Sequence, residues 1–456
     1  MKAKELYKKN QVLTGVVHDL TLEGQGVVKI DGYPFFVEGV IPGETVQISV
    51  MKVGKSFGFA RLVQVEVSSA DRVEITDPLG RQIGTMTLQH IAYPAQLRYK
   101  QQMVQQVFER IGKFAQVEVA QTIGMEHPWQ YRNKAQIPVR MVNGELATGF
   151  FRKNSHQLVP IENFHIQHPS IDAVVLTVRD ILRQFGISAY DETTQCGLVR
   201  HIIVKRGHYS GEVMVILVVN GKQLPREQDI VAQIVAQVPE LVSLVLNEQT
   251  KVTNVILGRR SRTLWGVDTY RDTMLGLDFQ ISAQSFYQVN TPQAERLYQC
   301  AIDAAKLSGN EMVLDAYCGI GTISLALAQH AKQVYAMEIV PEAIEMAKQN
   351  ALTNQLDNVV FEAGKAEEWL PIWHEQGIRF DVAVVDPPRK GLDPSFIDTL
   401  MAQQPKRIVY VSCNPATCAR DCRLIADSGY RLVSVQPVDL FAQTAHVECV
   451  VLLERN

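Results

Sequence analysis

The sequence predicts an α/β protein: a doubly wound parallel sheet at the C-terminal end, preceded by a small all-β OB-like barrel and an α+β middle region. Three observations predict it. After residue 276 short apolar strands alternate with amphipathic helical segments, the pattern of a parallel sheet covered on both faces. Residues 10–67 contain only short strands divided by Gly and Asp turns. The 456 residues are enough for about three domains, so the two patterns can belong to separate units joined by a third.

Taken in order, the barrel is expected over 1–67. Val46, Ile48 and Val50 alternate toward one face, Asp31-Gly32 and Pro42-Gly43 mark turns, and the polar stretch Ser68 to Arg72 marks its boundary. A middle α+β region is expected over 68–275. Its first element is a helix over about 93–112, with Leu97, Val104, Val107, Phe108 and Ile111 on one face and Gly112 as its stop; this helix is a candidate to pack on the C-terminal unit. The rest of the region is strand-rich, and basic turns flank its apolar runs. The C-terminal unit, 276–456, reads as strands EMVLDAY, QVYAMEI, NVVFEAG, FDVAVVDPP and RIVYVSC. Helices run through SLALAQHA and PEAIEMAKQNAL, and the last two strands, YRLVSVQPVDLF and HVECVVLLER, form an antiparallel pair at one edge.

Composition narrows the function classes. Apolar residues make up 46% and charged ones 20%, which excludes a mostly disordered chain. The net charge of −3 gives no global attraction to polyanions, so any nucleic-acid surface has to be local. The longest apolar run, Val213 to Val219, is far short of the roughly 20 residues of a membrane span. The basic start MKAKELYKKN leads into polar sequence rather than a secretory core, so the expected location is cytoplasmic. Seven cysteines, an odd number, argue against a disulfide framework and leave thiols free for chemistry.

Chemistry-bearing residues gather at the ends of the C-terminal strands. Asp315-Ala-Tyr317-Cys-Gly319-Ile-Gly321 follows a strand and opens a helix, which lets backbone approach a ligand; Glu338 ends the next strand, where a carboxylate can accept both hydroxyls of a ribose. The pyrophosphate-cradling GxGxxG is missing, so S-adenosylmethionine fits better than NAD. Asp386, in Asp-Pro-Pro-Arg389, ends another strand at the same edge. Cys413, in Ser-Cys-Asn-Pro415, sits on a turn before a helix whose N-terminus can stabilise a thiolate, which makes it a candidate nucleophile against the alternative of a buried small apolar residue. Cys418 and Cys422 read as core packing, and no metal site is expected. Glu448 opens the last strand, where desolvation would turn it into a usable base. In the middle region, basic and aromatic residues interleave around Arg132 and Lys134, Arg152 and Lys153, Arg206, and Arg259 and Arg260, a composition suited to RNA.

Together DAYCGIG, DPPRKG, SCNPATCARD, the terminal HVE and FYQVN at 286–290 resemble the RNA uracil-5-methyltransferase family, with the N-terminal unit similar to a TRAM domain. The resemblance covers essentially the whole chain and is nearest the 23S ribosomal RNA branch. It implies a class I methyltransferase fold, S-adenosylmethionine bound by Gln288, Tyr317, Glu338 and Asp386, Cys413 as nucleophile on uracil C6 and Glu448 as general base. Many members also carry an iron-sulfur cluster on four cysteines; this chain has Asp77, Ile83, Met86 and Phe164 at the apparent equivalents, so none is expected. Phe441-Ala-Gln-Thr444 departs from the family's Phe-Pro-His-Thr close to Glu448. Transfer RNA uridine, or cytosine C5, are alternative targets; an inert RNA-binding or ribosome assembly factor is the non-enzymatic alternative. A monomer acting on RNA is expected.

Overall fold

The computed structural model describes residues 6–456; the first residues of the basic start, 1–5, lie outside them. Five strands, β1 (Val12–Leu20), β2 (Gly26–Ile30), β3 (Tyr33–Val37), β4 (Thr45–Val53) and β5 (Gly58–Val67), close into a barrel in the order β1-β2-β3-β5-β4. The alternation expected at Val46, Ile48 and Val50 points these three inward with Val28 and Phe35, all fully buried. A buried ion pair ties the barrel to the start of the middle region. Glu44 is fully buried, and Arg72 donates to both of its oxygens at 2.6 Å from just beyond the barrel.

The middle region is built on one seven-stranded sheet, ordered β12-β11-β10-β9-β6-β7-β8. The strands are β6 (Lys134–Val142), β7 (Glu145–Phe151), β8 (Leu158–Pro160), β9 (Val199–Arg206), β10 (Val213–Val219), β11 (Leu241–Glu248) and β12 (Arg260–Gly266). The unbroken apolar run of β10 has a simple cause. Its odd positions, Val213, Val215, Leu217 and Val219, face the helices Pro169–Gln184 and Glu227–Gln237. Its even positions, Met214, Ile216 and Val218, belong to the core of the catalytic unit. Because both faces are covered, the strand shows no alternation of polar and apolar residues.

The cut at 275 therefore runs through packed structure. The hairpin β13 (Thr269–Met274) and β14 (Leu277–Ser282) straddles it, and Tyr270, Met274, Leu277, Phe279 and Ile281 all join the catalytic core. The helix Tyr93–Arg110 also packs on the catalytic unit, through Met103, Val104, Val107 and Phe108. It carries a buried ion pair as well: Lys100 Nζ lies 2.6 Å from Asp439 Oδ1, and both side chains are inaccessible. Tyr93 donates to the other Asp439 oxygen at 2.8 Å, so the carboxylate is satisfied on both sides.

The catalytic sheet runs β17-β16-β15-β18-β19-β21-β20. Five strands are parallel: β15 (Met312–Ala316), β16 (Gln333–Glu338), β17 (Val359–Ala363), β18 (Val382–Val385) and β19 (Arg407–Ser412). The expected terminal pair, β20 (Tyr430–Val438) and β21 (Glu448–Arg455), is antiparallel, with β21 lying inside against β19. Strand order reverses between β15 and β18, and ligands bind in the crevice at such a point. Among the described residues no helix is long and apolar enough to cross a membrane.

Candidate active site

The topology gathers the expected residues at one sheet edge. Tyr317, Glu338, Asp386 and Cys413 come at or just past the C-terminal ends of β15, β16, β18 and β19. Glu448 starts β21, which runs the other way, so its N-terminal end lies at that same edge. Ser412 pairs with Cys449 in the β19–β21 ladder. One step further on each strand, Cys413 and Glu448 therefore face each other.

The loop after β15 is held in a conformation with a cost. Tyr317 has φ of 71°, a left-handed backbone that an aromatic residue rarely adopts without a local reason. The backbone N–H groups of Tyr317 and Cys318 both donate to the Met337 carbonyl at 3.0 Å, pinning the loop to β16. At Gly319 a Cβ would meet nothing within 4 Å, so the loop fronts open space rather than packed protein. Glu338 braces the turn, accepting from Gly319 N at 3.3 Å and Val340 N at 3.0 Å. Beneath it Asp315 is buried; one carboxylate oxygen accepts from Ser324, and Oδ1 has no partner. Burial pushes the Asp315 carboxyl up to about 7, with Asp386 and Glu338 adding to the rise.

Gln288 reaches the crevice from a separate segment. Its Nε2 donates to Tyr298 at 3.2 Å, and its carbonyl accepts from Asn133 Nδ2 at 3.1 Å. Lys205 Nζ, buried, donates to the Ser282, Ala283 and Ser285 carbonyls and so fixes the start of this loop. The Tyr298 hydroxyl is itself pushed up, first by burial and then by the charge of Asp386, with the Gln288 hydrogen bond opposing the rise and Glu448 adding a smaller one.

Burial also governs the reacting groups. It lifts the Asp386 carboxyl to about 7; Glu448, 5% exposed, rises to about 8 by burial and then by Asp386, against the pull of Arg389. The Cys413 thiol goes up to about 11, through burial first and then the Glu448 and Asp386 charges, with Arg389 opposing. This corrects the expectation that the following helix holds a thiolate. Asn414 does cap the helix Pro415–Asp427, but burial of the thiol, the largest cause of its rise, works against ionisation. Cys418 and Cys422 are fully buried in the core, the packing role expected for them.

Cys413 opens on a cavity of about 820 Å³ where all three units meet. Leu22 and Glu23 come from the barrel, Arg132, Lys134 and Lys153 from the middle region, and Arg389, Cys413 and His446 from the catalytic unit. Arg152 is exposed beside Lys153, whereas Arg206 lines a second cavity of about 460 Å³ that shares Arg132. Arg259 and Arg260 are exposed at the β12 edge of the middle sheet and line neither cavity.

Both sequence departures have structural accounts. Gln443 turns inward and pairs with Gln96, which donates to its side-chain oxygen at 2.9 Å and accepts from its N–H at 3.1 Å. The segment leading to Glu448 is thereby tied to the helix Tyr93–Arg110. At the cluster positions, Asp77 caps the helix Pro78–Ile83, and Ile83, Met86 and Phe164 share a buried apolar cluster. Packing occupies that volume. Among the described residues no group of three or more His, Cys, Asp and Glu side chains is placed to hold a metal.

Sequence reading passed over Tyr298, Arg389 and Asp421. Asp421 is fully buried and accepts from Tyr410 and from Leu392 N, both at 2.8 Å, locking the DPPRKG loop to the helix after Cys413. Arg389 was legible as the last residue of Asp-Pro-Pro-Arg; a lone Tyr or Asp in an amphipathic helix carries no such signal.

Comparison with known proteins agrees with this geometry. Residues 273–456 match the tRNA (Uracil-5-)-methyltransferase family model, and residues 8–63 match the TRAM domain. The chain is 51% identical to an uncharacterized RNA methyltransferase of Enterococcus faecalis over 98% of both chains, and 50% identical to one from Lactiplantibacillus plantarum over 100% of both. It is similar to the Pyrococcus abyssi tRNA (uracil-54, C5)-methyltransferase solved with S-adenosyl-L-homocysteine: TM-score 0.76 and 27% identity, covering 97% of this chain and 100% of that one. A cradle with an unpartnered buried carboxylate oxygen and three acidic side chains suits a cofactor that carries sulfonium and ammonium charge, and the cofactor is S-adenosylmethionine. The chain belongs to the RNA uracil-5-methyltransferase family, with an N-terminal TRAM barrel and a class I methyltransferase domain.

Proposed function

We propose that this protein methylates C5 of a uridine in 23S ribosomal RNA, with Cys413 as the nucleophile and Glu448 as the general base. The observation that carries the reading is the meeting of Cys413 and Glu448 across the β19–β21 ladder, with Cys413 at the edge of a cavity lined by Arg132, Lys134 and Lys153. C5 of uracil is a poor nucleophile until a group adds at C6. Cys413 Sγ forms that bond, with Arg389 as the cation positioned to favour its thiolate. Bound S-adenosylmethionine supplies an electrophilic methyl group for the activated C5. Gln288, Tyr317, Glu338 and Asp386 would hold the cofactor, with Glu338 suited to accept from ribose hydroxyls. Glu448 takes the C5 proton, and expulsion of Cys413 restores the aromatic ring and releases 5-methyluridine. The cavity's burial requires a uridine that is flipped out or already unpaired.

Arg132, Lys134, Lys153 and the neighbouring Arg152 serve the RNA at the cavity, and Arg206 serves it at the adjoining one. Arg259 and Arg260 supply a peripheral phosphate contact. The ribosomal target rests on the sequence resemblance, whereas the likeness to an archaeal enzyme for tRNA uracil-54 favours transfer RNA as the second reading. Incubation with methyl-labelled S-adenosylmethionine and unmodified 23S or transfer RNA, followed by nucleoside analysis, separates them. Labelled 5-methyluridine from the ribosomal RNA is the expected result. Label confined to transfer RNA overturns the ribosomal assignment, and label in cytidine overturns the reaction.

A further inference from the structure

We propose that the outer face of the barrel carries a stacking platform, Phe36, Phe57 and Phe59, for unpaired bases of the RNA that flanks the target uridine. The proposal rests on the RNA-methylating reading of the cavity and extends it to a surface outside the catalytic machinery.

The three rings form a closed triangle, with centroids 5.3 Å (Phe36–Phe57), 5.8 Å (Phe36–Phe59) and 5.6 Å (Phe57–Phe59) apart. They do not build the barrel core. Along β3 the fully buried ring is Phe35, and along β5 the inward residues are Gly58 and Ala60, so strand alternation sends Phe36, Phe57 and Phe59 outward. Phe57 is 43% exposed, and Phe36 and Phe59 are half-buried where the three rings pack on one another. Exposing such rings forfeits the gain of burying them, and a solubilising surface would use charged side chains.

Two features favour nucleic acid as the occupant. Lys52 lies directly across from Phe59 in the β4–β5 ladder, and Arg61 follows Phe59 by two residues on the same face. Both are exposed, and among the described residues neither has a carboxylate partner, so the aromatic surface is flanked by free positive charge. Flat rings beside free cations suit single strands, because every base presents a π face and every nucleotide a phosphate. A side-chain contact also links the barrel strand that carries Phe36 to the cavity rim. Glu38, two residues beyond Phe36, contacts Lys153 Nζ, and Lys153 lines the cavity that contains Cys413. That contact sets the strand carrying Phe36 against the segment that lines the cavity rim.

The test is equilibrium binding of two probes to the full chain: an oligouridylate of about a dozen nucleotides and an abasic ribose-phosphate oligomer of equal length. The variants are Phe57→Leu, Phe57→Trp and the triple Phe36→Leu/Phe57→Leu/Phe59→Leu. Stacking contributes roughly 5- to 100-fold in affinity per base, so the triple variant should bind oligouridylate at least about 10-fold more weakly, with abasic binding unchanged. Phe57→Leu should lose part of that affinity and Phe57→Trp should keep it. Wild-type affinity in the triple variant, or equal losses in Phe57→Leu and Phe57→Trp, overturns the proposal. Because no methylation is read, failure of the uridine reaction shows separately, as unlabelled RNA with the binding pattern intact.

Discussion

Glu448→Gln gives the account a quantitative test, because the burial that suits Glu448 to accept a proton also makes it a stability liability at high pH. Its carboxyl has an ordinary value of 4.5 and rises to about 8 in the folded protein. Between these values the unfolded chain has released the proton and the folded chain keeps it, so the favourable contribution is complete below 4.5 and is lost as pH climbs to 8. Integrating the linkage gives a penalty of about 2 kcal/mol at pH 6 and about 4 kcal/mol at pH 8. Glutamine keeps the shape and cannot ionise. The variant should therefore gain about 2 kcal/mol on the wild type between pH 6 and pH 8, a widening of roughly 4–8 °C in melting temperature for a domain of this size. Thermal melts of both proteins at the two pH values measure it. A gap that stays constant with pH would mean that Glu448 is already ionised in the resting site, and the reasoning from burial would fail.

The same shifts predict that kcat/KM for RNA rises with pH to at least 8, since both Glu448 and Cys413 must lose protons to act; a steady-state profile that falls between pH 6 and 8 contradicts this. Lys100→Met strands Asp439 in the core and should cost about 3–5 kcal/mol, read by denaturant unfolding, whereas a neutral effect would show that water reaches the carboxylate. Met86→Ala opens a hole in the apolar cluster it shares with Ile83 and Phe164 and should cost about 2–5 kcal/mol; an unchanged midpoint would mean that the segment is loosely packed. Dialysis against a chelator should leave methyl transfer intact, and loss of activity restored by iron would overturn the expectation that the chain holds no cluster.

The barrel and the catalytic sheet were legible because each buries one face or both in a regular period: Val46, Ile48 and Val50 alternate, and the parallel strands end in motifs that name their own edge. The middle region was less legible because its strands serve two cores. In β10, Val213, Val215, Leu217 and Val219 pack on one side and Met214, Ile216 and Val218 on the other, so the run carries no sign of direction. Long-range pairs such as Lys100 with Asp439 and Gln96 with Gln443 were equally hidden, being separated by more than three hundred residues. The position of Cys413 and Glu448 at one edge could be read from their motifs, and so could the rise of Glu448 by desolvation; the rise of the Cys413 thiol could not. A cysteine before a helix reads as a stabilised thiolate until Asp386 and Glu448 are seen in the same buried crevice.

The most direct measurement is covalent trapping. In the proposed chemistry Glu448 removes the C5 proton, so RNA bearing 5-fluorouridine at the target position cannot complete the reaction and stays bonded through C6. After incubation with S-adenosylmethionine, protease digestion and mass spectrometry should find the RNA adduct on the peptide containing Cys413, and none with Cys413→Ala. An adduct on another cysteine, or full turnover by Cys413→Ala, would contradict the account.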